Sequence, residues 1–370
     1  MKNLCNKKII LTGGGTVGSV SPLLAVYDEL RLRGDYDFLW IGSRDGLEKE
    51  IIARESIDFV GISSGKLRRY FSFQNFIDIF KIFFGFLESI FIIIKGKPDL
   101  IMSAGSFVSV PLVWAGWILR VPVLIHQLDA RPGLANKLMA RVAKKISLTF
   151  EKSLNDYGTK AVWTGNPIRK SFLDKNLNVL EIKKELKLNL DLPLILVVGG
   201  GTGSKKINEI IISIVPNLIE RAEIVHVTGK NRLEKKVSFK VPLKVPFQKY
   251  HQYEFLDADL MAKYLFVADL IISRAGMGFL SELAYLKKAS IIIPMPNSHQ
   301  EDNAQILSDH KAALVLHEKE IDKNILYQEI IKILENDDLR HDLEKNIGGA
   351  IKCGEEAVNN IIKIIEEIII

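Results

Sequence analysis

An α/β fold of two facing Rossmann-like domains, with a cleft between them, follows from one pattern that occurs twice. Ile9-Ile10-Leu11 is an apolar run of strand length that ends in Thr12-Gly13-Gly14-Gly15-Thr16-Val17-Gly18-Ser19. From Pro22 onward, Leu23, Leu24, Val26 and Leu30 fall at helical spacing. Strand, glycine turn and helix in that order make the first unit of a doubly wound sheet. About half a chain later, Leu194 to Val198 runs into Gly199-Gly200-Gly201-Thr202-Gly203-Ser204, followed by Ile207, Ile210, Ile211 and Ile214. Small residues in such turns let a phosphate or sugar approach the main chain, and the helix that follows offers free N–H groups to an anion.

Composition bounds the answer. A chain of 370 residues exceeds one ordinary core, and 48% hydrophobic with 25% charged residues is globular rather than disordered. Cys5 and Cys353 form neither a disulfide framework nor a metal-binding spacing, which fits a reducing cytosol. The first apolar run stops at Leu11, too short for a secretion signal. A net charge of +6 suits an anionic ligand or a membrane surface, and no aromatic-basic cluster marks a nucleic-acid reader.

Along the first half, strands are expected at 38–42, 57–62, 100–102 and 121–125, with a helix over 45–54 and a last strand near Trp163. Between Phe71 and Ile94 the chain is dominated by Phe and Ile, yet Asp78, Lys81 and Glu88 argue against a membrane span. Gln74, Asp78, Lys81, Gly85, Glu88 and Lys95 instead recur as a narrow polar stripe. This describes a helix buried on one side, whose remaining apolar surface meets something else. Lys66, Arg68 and Arg69, with Phe71, Phe73, Phe76, Phe80 and Phe84, suit a membrane interface. The second half offers strands at 226–229, 253–256, 270–273 and 291–294, then helices beyond residue 320.

Three motifs carry chemistry. Ser273-Arg274-Ala275-Gly276-Met277-Gly278-Phe279 ends a strand, turns and opens a helix that bears Glu282. Free N–H groups at that helix start suit a diphosphate, and a carboxylate on the helix suits ribose hydroxyls. Pro294 to Ala304, with Asn297, His299 and Gln300, offers amide and imidazole groups to sugar hydroxyls. Asp257-Ala258-Asp259 looks like a paired-carboxylate metal site, but it precedes a helical segment and is expected to cap it.

In this order the motifs resemble those of the MurG-type glycosyltransferases. The residues concerned are Gly14-Gly15-Thr16 with Gly18 and Pro22, Pro132 to Asn136, Thr164 to Arg169, Gly199-Gly200 with Gly203 and Asn208, Arg274 with Gly276 and Glu282, and Gln300 with Asn303-Ala304. The resemblance covers nearly the whole chain. It implies a GT-B architecture with residues 1–165 as an acceptor- and membrane-facing domain, 166–352 as a UDP-sugar domain, and 353–370 as a helix packing back on the first. It implies inverting transfer of N-acetylglucosamine from UDP-N-acetylglucosamine to undecaprenyl-pyrophosphoryl-N-acetylmuramoyl-pentapeptide, in peptidoglycan precursor synthesis. The expected setting is the cytoplasmic face of the cell membrane, peripherally bound, with the membrane leaflet and other cell-wall synthesis proteins as partners. No cofactor, metal or nucleic acid is implied.

By the same resemblance, Arg169, Gly201, Thr202, Asn208, Arg274, Gly276, Met277, Gly278, Phe279, Glu282, His299 and Gln300 bind the donor. Gly14, Gly15, Thr16, Gly18, Ser19, Phe107 and Asn136 bind the acceptor. The chain departs from the family pattern in one telling place: Ser19 stands where the family has a histidine favoured as the base, and a serine hydroxyl is not ionised near neutral pH. Val17 replaces a glycine, Gln127 a glutamate and Asp129 an asparagine. Asp129 is therefore the expected base, with Ser19 and His126 as further catalytic candidates. The alternatives are a transferase with another lipid-linked acceptor, a UDP-sugar epimerase, and a catalytically inactive nucleotide-sugar-binding scaffold. A dinucleotide oxidoreductase is least favoured: Gly13, Gly15 and Gly18 fit G-x-G-x-x-G, but the second strand ends in Gly42-Ser43-Arg44 without an acid.

Overall fold

A computed structural model of the chain divides into two compact units, Met1–Lys170 with Lys352–Ile370, and Ser171–Ile351. Residues 6–15, 17–34, 36–65, 73–172, 178–229 and 249–369 are described, positions 17, 47 and 73–77 by backbone alone.

The first unit alternates strand and helix: β1 (Lys7–Thr12), α1 (Ser21–Leu32), β2 (Tyr36–Ser43), α2 (Leu47–Ile52), β3 (Asp58–Ile62), α3 (Phe73–Gly96), β4 (Leu100–Ser103), α4 (Ser109–Ile118), β5 (Val123–Gln127), α5 (Leu134–Ala140), β6 (Lys145–Leu148), α6 (Leu154–Tyr157) and β7 (Ala161–Trp163). Its described strands form one parallel sheet in the order β3-β2-β1-β4-β5-β6-β7. Period-two alternation sends Ile9 and Leu11 to one face and Ile10 to the other, each into its own core. Because both faces are covered, β4 and β5 are buried at every position, as the unbroken apolar runs of parallel strands require.

The second unit continues with α7 (Val179–Glu185), β8 (Leu194–Val198), α8 (Lys205–Leu218), β9 (Glu223–Val227), β10 (Tyr250–Tyr253), α9 (Ala258–Val267), β11 (Leu270–Ser273), α10 (Met277–Leu286), β12 (Ser290–Ile292), α11 (His299–Asp309), β13 (Leu314–Val315), α12 (Lys323–Leu334) and α13 (Asp337–Ala350). Its parallel sheet runs β10-β9-β8-β11-β12-β13. The last helix, α14 (Glu355–Ile369), returns to the first unit, where Ile361, Ile362 and Ile365 pack in the core of α1. The two chain crossings meet beside Gly165, whose φ of +85° and lack of Cβ let Lys352 approach. There Asn166 N–H donates to the Lys352 carbonyl at 2.9 Å.

Several boundaries differ from the sequence expectation. β6, whose apolar residues are interrupted by Lys145 and Ser147, and the two-residue β13 are not among the expected strands, and β10 lies at 250–253 rather than 253–256. The shift arises because Phe255, apolar as it is, leaves the sheet and stands 44% exposed. Asp257 caps α9 by accepting from Leu260 N–H at 2.9 Å, as expected from its place before a helix.

Asp78, Gly85 and Glu88 of the polar stripe of α3 turn inward, while Lys81 and Lys95 are exposed. Glu88 accepts from Ser63 N–H at 2.6 Å and pairs with Arg44 at 2.5 Å, and Asp78 is buried. Gly85 sits where a Cβ would lie 2.0 Å from the Ser63 carbonyl oxygen. The opposite side of the helix leaves Phe80, Phe84, Leu87, Phe91 and Ile94 exposed, at the 4-3-4-3 spacing of one face. Trp117 and Ile118 at the end of α4 are exposed as well, and a groove of about 300 Å³ joins Ile93 and Ile94 to Leu119 and Val121. No helix among the described residues is long and apolar enough to cross a membrane. Lys66, Arg68, Arg69 and Phe71 lie outside the described residues, and Phe73 and Phe76 are described by backbone alone.

Each sheet also contains one fully buried histidine used as a strut. His126 on β5 reaches Ser147 Oγ through Nδ1 at 2.9 Å and Asn166 Oδ1 through Nε2 at 3.0 Å. His226 on β9 reaches the Tyr250 hydroxyl at 2.9 Å and Asn208 Oδ1 at 3.1 Å. Burial lowers their pKa values from 6.5 to about 4 and about 3, so both stay neutral when folded. Below about pH 6.5 the unfolded chain binds protons that these rings refuse, so stability rises with pH in that window. Acidification from pH 6.5 toward 4 should cost each unit about 1.4 kcal/mol per pH unit from its histidine. Urea unfolding across this range, with His126→Gln or His226→Gln as comparison, should show a shallower pH slope in the variant.

Candidate active site

In parallel α/β sheets ligands gather at the carboxyl ends of the strands, and the glycine turns lie there in both units. In the first unit the turn after β1 is built around an acid that the sequence did not mark. Glu48, on the first turn of α2, is 1% exposed. Its carboxylate accepts from Gly15 N–H at 3.0 Å and Ser43 N–H at 2.8 Å, and also from the Ser43 hydroxyl. A Cβ on Gly14 would lie 2.3 Å from Glu48 Oε1, and one on Gly46 2.2 Å from it. Glycine at position 14 thus makes room for a carboxylate of the chain itself. The N–H of Gly15, expected to serve the acceptor, is already engaged. Ser19 is buried and donates its hydroxyl to the Gly14 carbonyl at 3.0 Å, which orders the turn from its other side. Gly18 is half-buried beside it, while Thr16 lies outside the described residues.

At the end of β5, Gln127 links two expected site residues, Asp129 and Asn136, with Tyr157. Its Oε1 accepts from Asn136 Nδ2 at 2.6 Å and from the Tyr157 hydroxyl at 3.0 Å. Its Nε2 donates to the backbone carbonyl of Asp129 at 2.7 Å, a bond that a glutamate could not make. Asp129 is half-buried in this turn. Phe107 leans on the adjoining core, after Gly105 and Ser106, both at positive φ. His126 is a correction: with both ring nitrogens bonded and no exposed surface, it has no lone pair to offer an acceptor hydroxyl. Arg169 is committed to Glu55 at 2.6 Å within the first unit.

In the second unit, Gly203 has φ +71° and approaches Thr228 so closely that a Cβ would lie 1.9 Å from its carbonyl oxygen. Gly201 and Thr202 are exposed at the tip of this turn. Asn208, expected at the donor, is instead buried and spends its amide on the Thr228 carbonyl and the His226 ring. The helices α7, α8, α9, α11, α12 and α13 each begin with a side-chain cap, from Asn178, Ser204, Asp257, Ser298, Asp322 and Asn336. α10 begins at Gly276 with no side-chain cap, leaving the N–H groups of Met277, Gly278 and Phe279 for an anion. Glu282 is half-buried on its second turn. His299 is exposed at the start of α11, and Gln300 Oε1 accepts from Met295 N–H at 3.0 Å. Arg274 donates to the carbonyls of Ile293 and Pro294, to Ser204 Oγ and to Glu318. Glu318 was not singled out in the sequence, since its partner Arg274 lies 44 positions away. Among the described residues no group of acidic, histidine or cysteine side chains could hold a metal ion.

Two doubly wound parallel units in one chain are the hallmark of the GT-B glycosyltransferases. The crystal structure of Acinetobacter baumannii MurG matches 98% of this chain and 99% of its own, with a TM-score of 0.70 at 24% identity. The relationship extends to sequence. Residues 9–148 match the glycosyltransferase family 28 N-terminal domain and residues 194–357 its C-terminal domain. A UDP-N-acetylglucosamine–N-acetylmuramyl-(pentapeptide) pyrophosphoryl-undecaprenol N-acetylglucosamine transferase of Clostridium botulinum is 39% identical over 89% of this chain and 92% of its own. One of Bacillus cereus is 37% identical over 98% and 99%. The chain belongs to the MurG family of glycosyltransferases.

The contact of Glu48 with Gly14 sets up a double-mutant cycle. Gly14→Ala and Glu48→Ala should each destabilise the first unit, and together by less than their sum, with a coupling of about 0.5–3 kcal/mol in urea unfolding. Strict additivity would mean that the carboxylate does not brace the turn.

Proposed function

We propose that this chain is an inverting transferase that moves N-acetylglucosamine from UDP-N-acetylglucosamine to undecaprenyl-pyrophosphoryl-N-acetylmuramoyl-pentapeptide. The observation that carries this reading is likeness from end to end to transferases whose names specify that donor and acceptor. The geometry of the second unit supports it. The uncapped N-terminus of α10 suits the donor's diphosphate, and Glu282 one helical turn farther suits the ribose hydroxyls. Phe255, exposed beyond the end of β10, offers a face to the uracil ring. His299 and Gln300 open α11 and are suited to the sugar hydroxyls, with Gly201 and Thr202 at the tip of the neighbouring turn.

In the proposed reaction an acceptor sugar hydroxyl forms a bond to the anomeric carbon as the bond from that carbon to UDP breaks. The hydroxyl proton passes to Asp129, and the bonding electron pair leaves with UDP, whose charge the α10 N–H groups stabilise. Gln127 supports this assignment by fixing the Asp129 turn, and Ser19 serves as an organiser of the first glycine turn rather than as a base. Gly14, Gly18 and Asn136 belong to the acceptor side by this reading. The acceptor's lipid suits the exposed apolar face of α3, with Trp117 and Ile118, which we assign to the surface of the inner leaflet.

Purified protein given labelled UDP-N-acetylglucosamine and the lipid-linked acceptor should form labelled lipid and UDP. Asp129→Asn should lower kcat by about 10²–10⁴-fold with little change in donor KM. Near-normal turnover in that variant would remove Asp129 as base while leaving the transferase reading intact. Phe84→Ser with Phe91→Ser should reduce binding to vesicles of anionic phospholipid several-fold in a sedimentation assay. Unchanged binding would place the membrane contact elsewhere.

A further inference from the structure

The guanidinium of Arg274 joins the ends of four neighbouring strands. Arg274 itself follows β11. Its Nη1 donates to the carbonyls of Ile293 and Pro294, just past β12, at 3.1 and 3.0 Å. Its Nη2 donates to Ser204 Oγ, in the turn after β8, at 2.7 Å, and to the carboxylate of Glu318, just past β13. These strands lie side by side in the order β8-β11-β12-β13. The pair is sheltered, with the Arg274 side chain 12% and the Glu318 side chain 22% exposed. Ser204 is in turn the cap of α8, accepting from Ile207 N–H. One planar fork therefore sets the spacing of three pieces: the Gly199–Gly203 turn, the open start of α10, and the Met295–Gln300 loop.

We propose that Arg274 is a positioning residue for the donor loops, held in place by Glu318 as its counter-charge, and not a ligand of the donor's diphosphate. The proposal rests on the reading of the second unit as the UDP-sugar unit. The guanidinium faces four protein oxygens, one of them a carboxylate, so its charge is neutralised and the four N–H directions of its two terminal nitrogens are taken. Turning it to a diphosphate would leave Glu318 sheltered without its partner and release both carbonyls. A lysine cannot replace it, because an ammonium lacks the flat array of donors that reaches four acceptors in divergent loops.

The two roles for Arg274 predict opposite signs. If it positions the loops, Glu318→Gln loosens them. UDP binding by calorimetry should then weaken about tenfold and the KM for UDP-N-acetylglucosamine should rise, while the KM for the lipid acceptor stays unchanged. Arg274→Lys should show the same loss, and the double variant should be little worse than either. If Arg274 binds the diphosphate in competition with Glu318, removing that carboxylate frees its charge and UDP binds more tightly. Tighter or unchanged UDP binding in Glu318→Gln overturns the proposal, as does a loss that falls equally on donor and acceptor KM. Glu318→Asp, which keeps the charge, should recover part of the affinity and gives the same readout should the glutamine variant unfold early. A wild-type protein that takes up no UDP overturns the reading of the second unit, and the proposal with it.

Discussion

Parallel pairing is the constraint from which the rest follows. Every pairing between described strands in both sheets is parallel, so the chain must cross back over a sheet face before each new strand can pair. Those crossings cover both faces with helices and collect every strand-to-helix turn at one end of the sheet. Within each unit the site residues are far apart in sequence and share an edge of the sheet for that reason. The same demand for two covered faces accounts for α14, whose isoleucines complete the cover over β1 and α1 at the end of the chain.

Buried polar groups then give each edge its shape. Glu48 and Glu318 have opposite kinds of partner but a common function in the fold. The first carboxylate gathers N–H groups and a hydroxyl around the glycine turn of one unit, and the second neutralises the arginine that gathers carbonyls and a hydroxyl in the other. A sheltered charge is tolerated only with its hydrogen-bond partners in place, so each acid makes the position of its neighbours costly to change. Gln127 does the same without charge, linking Asn136, Tyr157 and the Asp129 turn through a single amide.

The inward side of α3 mixes acids with apolar groups, Glu88 and Asp78 beside Ile90 and Ile93. Glu88 anchors that side because it has backbone and side-chain donors waiting at Ser63, and Gly85 allows the close approach that brings them together. Phe80, Phe84 and Phe91 are left outside, while Phe86 packs on the core. An apolar stripe this long on the surface of one unit is the signature of a contact with lipid or protein.

The fold class was legible because strand, glycine turn and helix leave local marks: apolar runs of set length, small residues, and a change of period from two to nearly four. The two glycine turns, the capping role of Asp257 and the apolar surface of α3 were all open to such reading. The short strands β6 and β13 were not, since Lys145 and Ser147 interrupt the apolar run of the first and the second has only two residues. Nor could the sequence say that Gly14 leaves room for Glu48, that His126 and Asn208 are interior struts, or that Arg274 is held by Glu318. Each of those pairs is joined by contact across 18 to 44 positions of chain, or 34 for the glycine. The sequence by itself determined which residue types stand at the strand ends. Only the tertiary structure decided which of them face outward and which are consumed in bonds to one another, because hydrogen-bond partnership depends on distance in space and not along the chain.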